Sequence, residues 1–279
     1  MWLAETAVDT ATLELLAAYN IKFTILAPQQ GRAFRKIGEH EWIPLPTQNI
    51  DPRRPYLVTL PSGKSISLFF YDGNMAQGVA FKGLLNNGKN FAHTLIRGFD
   101  ADDSTQLVHI ATDGESYGHH HRHGEMALAD CLKYIEENEL AQISNYGAYL
   151  AKFPPEYEVL IHENSSWSCV HGVERWRNNC GCNTGGRPDW NQNWRKPLRE
   201  TLNWLRDNLI PIFEKEGGHF LQDVWAARND YVDVLFYRKK DPEAIDRFLV
   251  KHACRPLNPD EETKTLRLLE MQFQAMQMF

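Results

Sequence analysis

The sequence has no excess of positive charge: 30 Lys and Arg against 36 Asp and Glu leave a formal net charge of −6. Nucleic-acid binders carry a basic face or stripe. The densest basic run here is Arg238-Lys239-Lys240, which reads as a solvated turn, so nucleic acid is excluded as a partner. No apolar run approaches the roughly 20 residues needed to span a bilayer, which sets a membrane aside as well. Met1-Trp2-Leu3-Ala4-Glu5 lacks the basic and apolar regions of a secretory signal. Cysteine is scarce, with five in 279 residues. An odd number of thiols without an export signal points to reduced cysteines and a cytoplasmic location. Internal repeats and low-complexity linkers are lacking too. Nothing in the sequence gives the oligomeric state.

What is present is ordinary globular material, 43% hydrophobic and 24% charged, rich in aromatics. Tyr and Trp line sugar sites because their flat faces pack on C–H surfaces while their polar edges hydrogen-bond. They also fill cores, so composition alone does not choose. Short apolar runs predict strands at Phe23–Ala27, stopped by Pro28, at Leu107–Ala111 and at Tyr157–Ile161. Tyr56–Leu60 and Ser65–Tyr71 flank the turn Pro61-Ser62-Gly63-Lys64 and predict a hairpin. Apolar spacing predicts helices over 12–19, 75–85, 91–99 and 125–138. Strands alternating with helices suggest βαβ units and a parallel sheet or barrel, with the chemistry at the strands' carboxyl ends. After about Asn164 a loop rich in Cys, Asn, Gly and Trp runs to about Asn193, followed by helices over 197–215 and 258–279. There Asn258 is the expected N-cap, with Pro259 at the first helical position.

The polar residues that follow predicted strands are Glu5, Gln29, Gln30, Asp72, the segment 112–123 and Glu163. The densest cluster is Thr112-Asp113-Gly114-Glu115-Ser116-Tyr117-Gly118-His119-His120-His121-Arg122-His123. A carboxyl group at a strand's end serves as a general acid when burial or a neighbouring carboxylate raises its pKa, and Glu115 is such a neighbour to Asp113. The alternative is a solvated loop capping the next helix. His119, His120, His121 and His123 with Asp113 and Glu115 also offer zinc ligands. Consecutive histidines cannot all face one ion, however, and the pattern of two histidines flanking a glutamate on a helix is missing. Hydrogen bonding to sugar hydroxyls ranks above metal, and no metal or cofactor is expected. The loop Trp167–Trp176, with Cys180-Gly181-Cys182, offers Trp167, His171 and Trp176 for substrate contact, His171 before the others. Its Cys169, Cys180 and Cys182 read first as space-filling, with metal binding or redox sensing as the alternatives.

At Trp2-Leu3-Ala4-Glu5, Phe70-Tyr71-Asp72-Gly73, the segment 112–121 and Trp167–Trp176, the chain resembles glycoside hydrolase family 57. The nearer likeness is to a bacterial branch with an extended carboxyl-terminal region. That resemblance implies an α/β fold: a partial (β/α)7 barrel over 1–165, then a Cys- and Trp-rich loop and a mainly helical segment over 166–279. It implies a retaining mechanism on α-glucans, with Glu5 as nucleophile and Asp113 as general acid/base. Trp2, Asp72, Glu115, Tyr117, His119, Trp167 and His171 would contact the oligo- or polysaccharide substrate, with Glu115 and Tyr117 also tuning Asp113. The family's first motif, a His-x-His-x-x-Gln-Pro-like stretch, and its second are absent. Glu5 would then lie on an unsupported first strand, and a fragment of a longer protein is expected. Two readings stand beside the glycosidase: a metal-dependent polysaccharide deacetylase using Asp113 and the histidines, and a non-catalytic carbohydrate-binding protein.

Overall fold

Ser65-Ile66-Ser67-Leu68-Phe69-Phe70 is apolar at nearly every position, the pattern of a strand covered on both faces. In the computed structural model it is the second strand of a six-stranded sheet and is buried from Ile66 onward. The structure describes residues 1–46, 50–101, 105–183, 186–187 and 189–277. The strands are β1 (Phe23–Leu26), β2 (Gly31–Lys36), β3 (Ile43–Pro44), β4 (Tyr56–Thr59), β5 (Ser65–Phe70) and β6 (Tyr157–Ile161), in the order β1-β5-β4-β6-β2-β3. The hairpin at Pro61–Lys64 forms as expected, with Tyr56 opposite Leu68 and Thr59 opposite Ser65.

The sheet is mixed rather than uniformly parallel. Pairs β1·β5 and β4·β6 are parallel, while β4·β5, β2·β6 and β2·β3 are antiparallel. The four-residue turn of the hairpin makes β4·β5 antiparallel, because a parallel pair requires a crossover of a dozen or more residues. Leu107–Ala111 does not join the sheet. Its backbone makes scattered bonds, Leu107 N–H to the Arg53 carbonyl at 2.9 Å and the His109 carbonyl from Asp72 N–H at 3.1 Å, instead of a ladder.

The chain divides into two compact units, Met1–Arg175 and Trp176–Phe279. In the first, α1 (Thr10–Ala18) packs Leu13 and Leu16 onto Leu26, Tyr56, Ile66, Leu68, Phe70, Val159 and Ile161. Around the sheet lie α2 (Gly73–Phe81), α3 (Gly88–Ile96), α4 (Gly124–Glu137) and α5 (Tyr146–Lys152). Phe91, Ala127, Cys131 and Ile135 form a further core cluster between α3 and α4. A single helical turn, α6 (Glu174–Arg177), follows.

The second unit is built from α7 (Arg195–Gly217), α8 (Val224–Tyr237), α9 (Ala244–His252) and α10 (Pro259–Gln277) around Phe213, Tyr231, Val234, Phe248 and Leu269. Asn258 caps α10 as expected. Its Oδ1 accepts from Glu261 N–H at 3.0 Å, and Glu261 Oε2 accepts from Asn258 N–H at 3.0 Å. That reciprocal pair is a capping box. The last two residues of the helix expected over 258–279 lie outside the described residues, as do Thr184, Gly185 and Pro188 of the Cys- and Trp-rich loop. No described helix is long and apolar enough to cross a membrane.

Candidate active site

Glu5 does not lie on a strand. It sits in a 3-10 turn, Ala4–Thr6, with φ of 56° at Glu5 and 49° at Thr6. Two successive non-glycine residues in the left-handed region are each strained by roughly 1–2 kcal/mol, so the surroundings must hold them. A short bridge pairs Val8 with Ser165 and lays this turn against the segment that follows β6. There the Glu5 carbonyl accepts from Trp167 N–H at 3.1 Å. The Glu5 carboxylate accepts through Oε2 from Trp167 Nε1–H at 3.2 Å and from the Ser168 hydroxyl at 2.5 Å. Among the described residues Oε1 accepts from no protein donor.

Gln30 supports the turn from below. It is fully buried and uses its whole amide. Oε1 accepts from Ala27 N–H at 2.8 Å and lies 2.7 Å from the Thr6 hydroxyl, while Nε2 donates to the Thr6 carbonyl at 2.8 Å and to Ser165 Oγ at 3.1 Å. Gln29 donates to the Trp167 carbonyl at 3.2 Å. Trp2 meets Trp167 edge-on with ring centroids 5.1 Å apart, and Tyr71 meets it at 6.2 Å. Trp167 thus stands between Trp2, Tyr71 and Glu5.

The loop after Trp167 requires a glycine. Gly172 has φ of 63°, and a Cβ there would stand 2.0 Å from the Asn164 carbonyl oxygen. Ser166 Oγ donates to the Gly172 carbonyl at 3.2 Å and Val173 N–H to Asn164 at 2.9 Å, closing the loop on itself.

Asp113 precedes the 3-10 turn Gly114–Ser116 and its side chain is exposed. Tyr71, at the end of β5, connects it with Trp167: burial first and the Asp113 charge second push the Tyr71 hydroxyl up to about 12. Thr112 donates to Tyr117 Oη at 3.2 Å, so Tyr117 braces the residue before Asp113. Glu115 is exposed and uses its carbonyl to accept from His120 N–H at 2.8 Å. The Asp72 carboxylate caps α2 by accepting from Met75 N–H at 2.9 Å.

The histidine run does not converge. His119 and His120 meet edge-on at the surface, ring centroids 4.9 Å apart, and His121 Nε2 donates to the Ala80 carbonyl at 2.9 Å. Among the described residues no metal-ligand group forms around Asp113. His171 is exposed, with Nδ1 3.6 Å from Cys169 Sγ. Glu163 accepts from Thr10 N–H at 2.8 Å at the start of α1, a capping role. Ser168 and Tyr71 were not singled out from the sequence, although both lie inside the marker segments around Trp167 and Asp72. In the second unit a pocket of about 410 Å³ is lined by Asp230, Val234, Phe248 and His252 among others. Its Asp230 is already engaged by Lys251 at 2.5 Å and His252 at 3.0 Å.

The family model for glycosyl hydrolase family 57 matches residues 1–162. The chain belongs to glycosyl hydrolase family 57. A second model, a domain of unknown function designated DUF3536, matches residues 190–279. Among solved structures, the chain is similar to a novel exo-type maltose-forming amylase from Pyrococcus sp. ST04 at 17% identity and a TM-score of 0.69, covering 99% of this chain and 49% of that one. Weaker likenesses are to a 4-alpha-glucanotransferase from Thermococcus litoralis (18% identity, TM-score 0.48, 75% of this chain and 28% of that one) and to the alpha-amylase AmyC from Thermotoga maritima (13%, 0.47, 99% and 58%). The chain therefore spans about half the length of the Pyrococcus amylase, a likeness of fold. A comparison with curated proteins finds no match.

Proposed function

We propose that this family 57 chain is part of a retaining, α-glucan-active hydrolase or glycosyl-transferring enzyme, with Glu5 as nucleophile and Asp113 as general acid/base. Its first 165 residues would complete a (β/α)7 barrel with chain supplied from elsewhere in a longer, cytoplasmic protein. The observation that carries the reading is the asymmetric holding of Glu5: Oε2 is anchored by Trp167 and Ser168 while Oε1 has no protein donor among the described residues. A carboxylate that must attack a carbon needs one oxygen fixed and the other available.

In a retaining reaction Glu5 attacks the anomeric carbon as the protonated Asp113 gives its proton to the departing glycosidic oxygen. Asp113, now a carboxylate, then takes a proton from water or from a sugar hydroxyl, which attacks the same carbon and frees Glu5. Water gives hydrolysis and a sugar hydroxyl gives transfer. Trp2 and Trp167 offer ring faces and edges for sugar stacking, and His119, Glu115, Tyr117 and His171 are candidate hydroxyl partners. Asp72 contributes through the start of α2. A zinc deacetylase built on Asp113 needs several ligands converging on one point, and the dispersed histidines speak against it.

The test is sugar release or transfer from soluble starch and maltooligosaccharides by the longer protein carrying this chain. Glu5→Gln abolishes the glycosyl-enzyme intermediate detected by mass spectrometry. Asp113→Asn spares its formation only on substrates with good leaving groups. Ordinary turnover by both variants sinks the assignment, and glucan binding without any released sugar selects the non-catalytic alternative.

A further inference from the structure

The segment 169–182 spaces its ligand-type residues as Cys169-x-His171 and Cys180-x-Cys182. We propose that these four residues hold one tetrahedral thiophilic cation of the zinc class, a structural site separate from the carboxylate chemistry.

The geometry fits a single ion. Cys169 Sγ, His171 Nδ1 or Nε2, Cys180 Sγ and Cys182 Sγ all lie within 4.8 Å of one another. Zn–S bonds of about 2.3 Å and Zn–N bonds of about 2.0–2.1 Å in a tetrahedron set S···S near 3.8 Å and S···N near 3.6 Å. The Cys169 Sγ to His171 Nδ1 separation is already 3.6 Å, so the first pair has the spacing of ligands on one ion. Iron–sulfur clusters place ligands of different irons farther apart, which favours a mononuclear site. Three thiolates and one imidazole select zinc over magnesium or calcium, whose preferred ligands are oxygens.

The backbone is bent where the ligands require it. Gly172, at φ of 63°, donates its N–H to the Cys169 carbonyl at 2.9 Å and closes a tight turn around His171. Gly181, at φ of 81°, turns the chain between Cys180 and Cys182. A glycine beside each ligand pair is what sharp metal-binding turns need. None of the five cysteines forms a disulfide. Binding would release the three thiol protons to solvent and leave the imidazole neutral.

The site would also stiffen the residues that hold Glu5. Ser168, which donates to the Glu5 carboxylate, directly precedes Cys169, and Arg175 Nη1 donates to the Ser168 carbonyl at 3.1 Å. An ion fixing Cys169 limits how far Ser168 and Trp167 can swing.

The experiment uses the full 279-residue chain without a histidine tag, purified from zinc-supplemented cells without chelator. Elemental analysis is expected to give about one zinc per chain. The reduced protein stripped of zinc should take up cobalt, with the strong visible d–d bands and near-ultraviolet charge transfer of a tetrahedral thiolate site. Cys180→Ser together with Cys182→Ser should lose the zinc and the cobalt spectrum, whereas Cys254→Ser should retain both. Zinc-free protein that shows no such cobalt spectrum overturns the proposal, as does full metal content in the double variant or a disulfide linking these cysteines in protein purified under reducing conditions. Should the double variant fail to fold, the cobalt spectrum of the unmodified chain decides alone.

Discussion

Replacing Gln30 by Leu tests whether one buried amide keeps Glu5 in place. The side chain is 0% exposed, and its removal leaves at least the Ala27 N–H and the Thr6 carbonyl without their partner. A buried polar group stripped of its partner costs about 1–3 kcal/mol. Two such groups cost roughly 2–5 kcal/mol, allowing for partial relaxation. Leucine returns some of this through apolar burial, about 25 cal/mol per Å², but its branched end cannot follow the planar amide without disturbing Thr6. The net expectation is a loss of about 2–4 kcal/mol, a large part of the 5–15 kcal/mol by which a domain is stable. The left-handed turn at Glu5 and Thr6 would relax first, because the Gln30 bonds oppose its strain. Urea unfolding at pH 7 reads the loss as a shift in midpoint at unchanged slope. Gln29→Leu is the control: it removes a single 3.2 Å bond to Trp167 and should cost under about 1 kcal/mol. Equal effects for the two variants, or a loss below about 0.5 kcal/mol for Gln30→Leu, would refute the claim that the amide supports the turn.

Four further outcomes are expected. His109 is buried between the Tyr146 hydroxyl and the Pro52 carbonyl, each 2.9 Å away, and burial lowers its pKa to about 4. Its neutral form is the folded one, so the stability it confers is complete above about pH 6.5 and falls as pH drops towards 4, by up to about 3 kcal/mol; urea unfolding at pH 7 and pH 4.5 should show this fall in the parent and a smaller one in His109→Gln. Asn258→Ala should cost about 1 kcal/mol through the lost N-cap. Glu261 in the same capping box is held down to about 2 by Arg255 first and by Asn258 N–H second, so its contribution is complete above about pH 4.5 and fades as pH falls towards 2; acid titration followed by circular dichroism checks both. Trp167→Phe keeps an aromatic ring of smaller face and deletes the Nε1–H donor to Glu5, so kcat of the longer enzyme should fall roughly tenfold beside any weakening of sugar binding, and an unchanged kcat would count against the proposed role.

Much of this was legible in the sequence where local chemistry decides structure. Pro61-Ser62-Gly63-Lys64 is a turn whatever surrounds it, and Asn258-Pro259-Asp260-Glu261 is a helix start. Where the outcome depends on distant partners, local pattern misled. Leu107–Ala111 has the apolar run of a strand, yet His109 is buried against Tyr146 and Pro52 and Ile110 packs on the α3–α4 cluster, so the segment meets its burial without a ladder. The alternation of strands and helices suggested parallel neighbours, but the hairpin placed β4 antiparallel to β5, and β2 runs antiparallel to both β3 and β6.

The site shows the same division. Glu5, Trp167 and Asp113 were chosen as residue types in recognisable segments, but no local rule gives the turn that holds Glu5. That conformation is imposed by Trp167 and Ser168, more than 160 positions away, at 3.1, 3.2 and 2.5 Å, and by Gln30 beneath. An isolated peptide carrying Leu3-Ala4-Glu5-Thr6 should avoid the left-handed region at Glu5 and Thr6, because only glycine and a few short polar residues visit it at low cost. The strain at Glu5 is therefore a property of the folded unit, and it depends on the same contacts that leave Oε1 without a donor among the described residues.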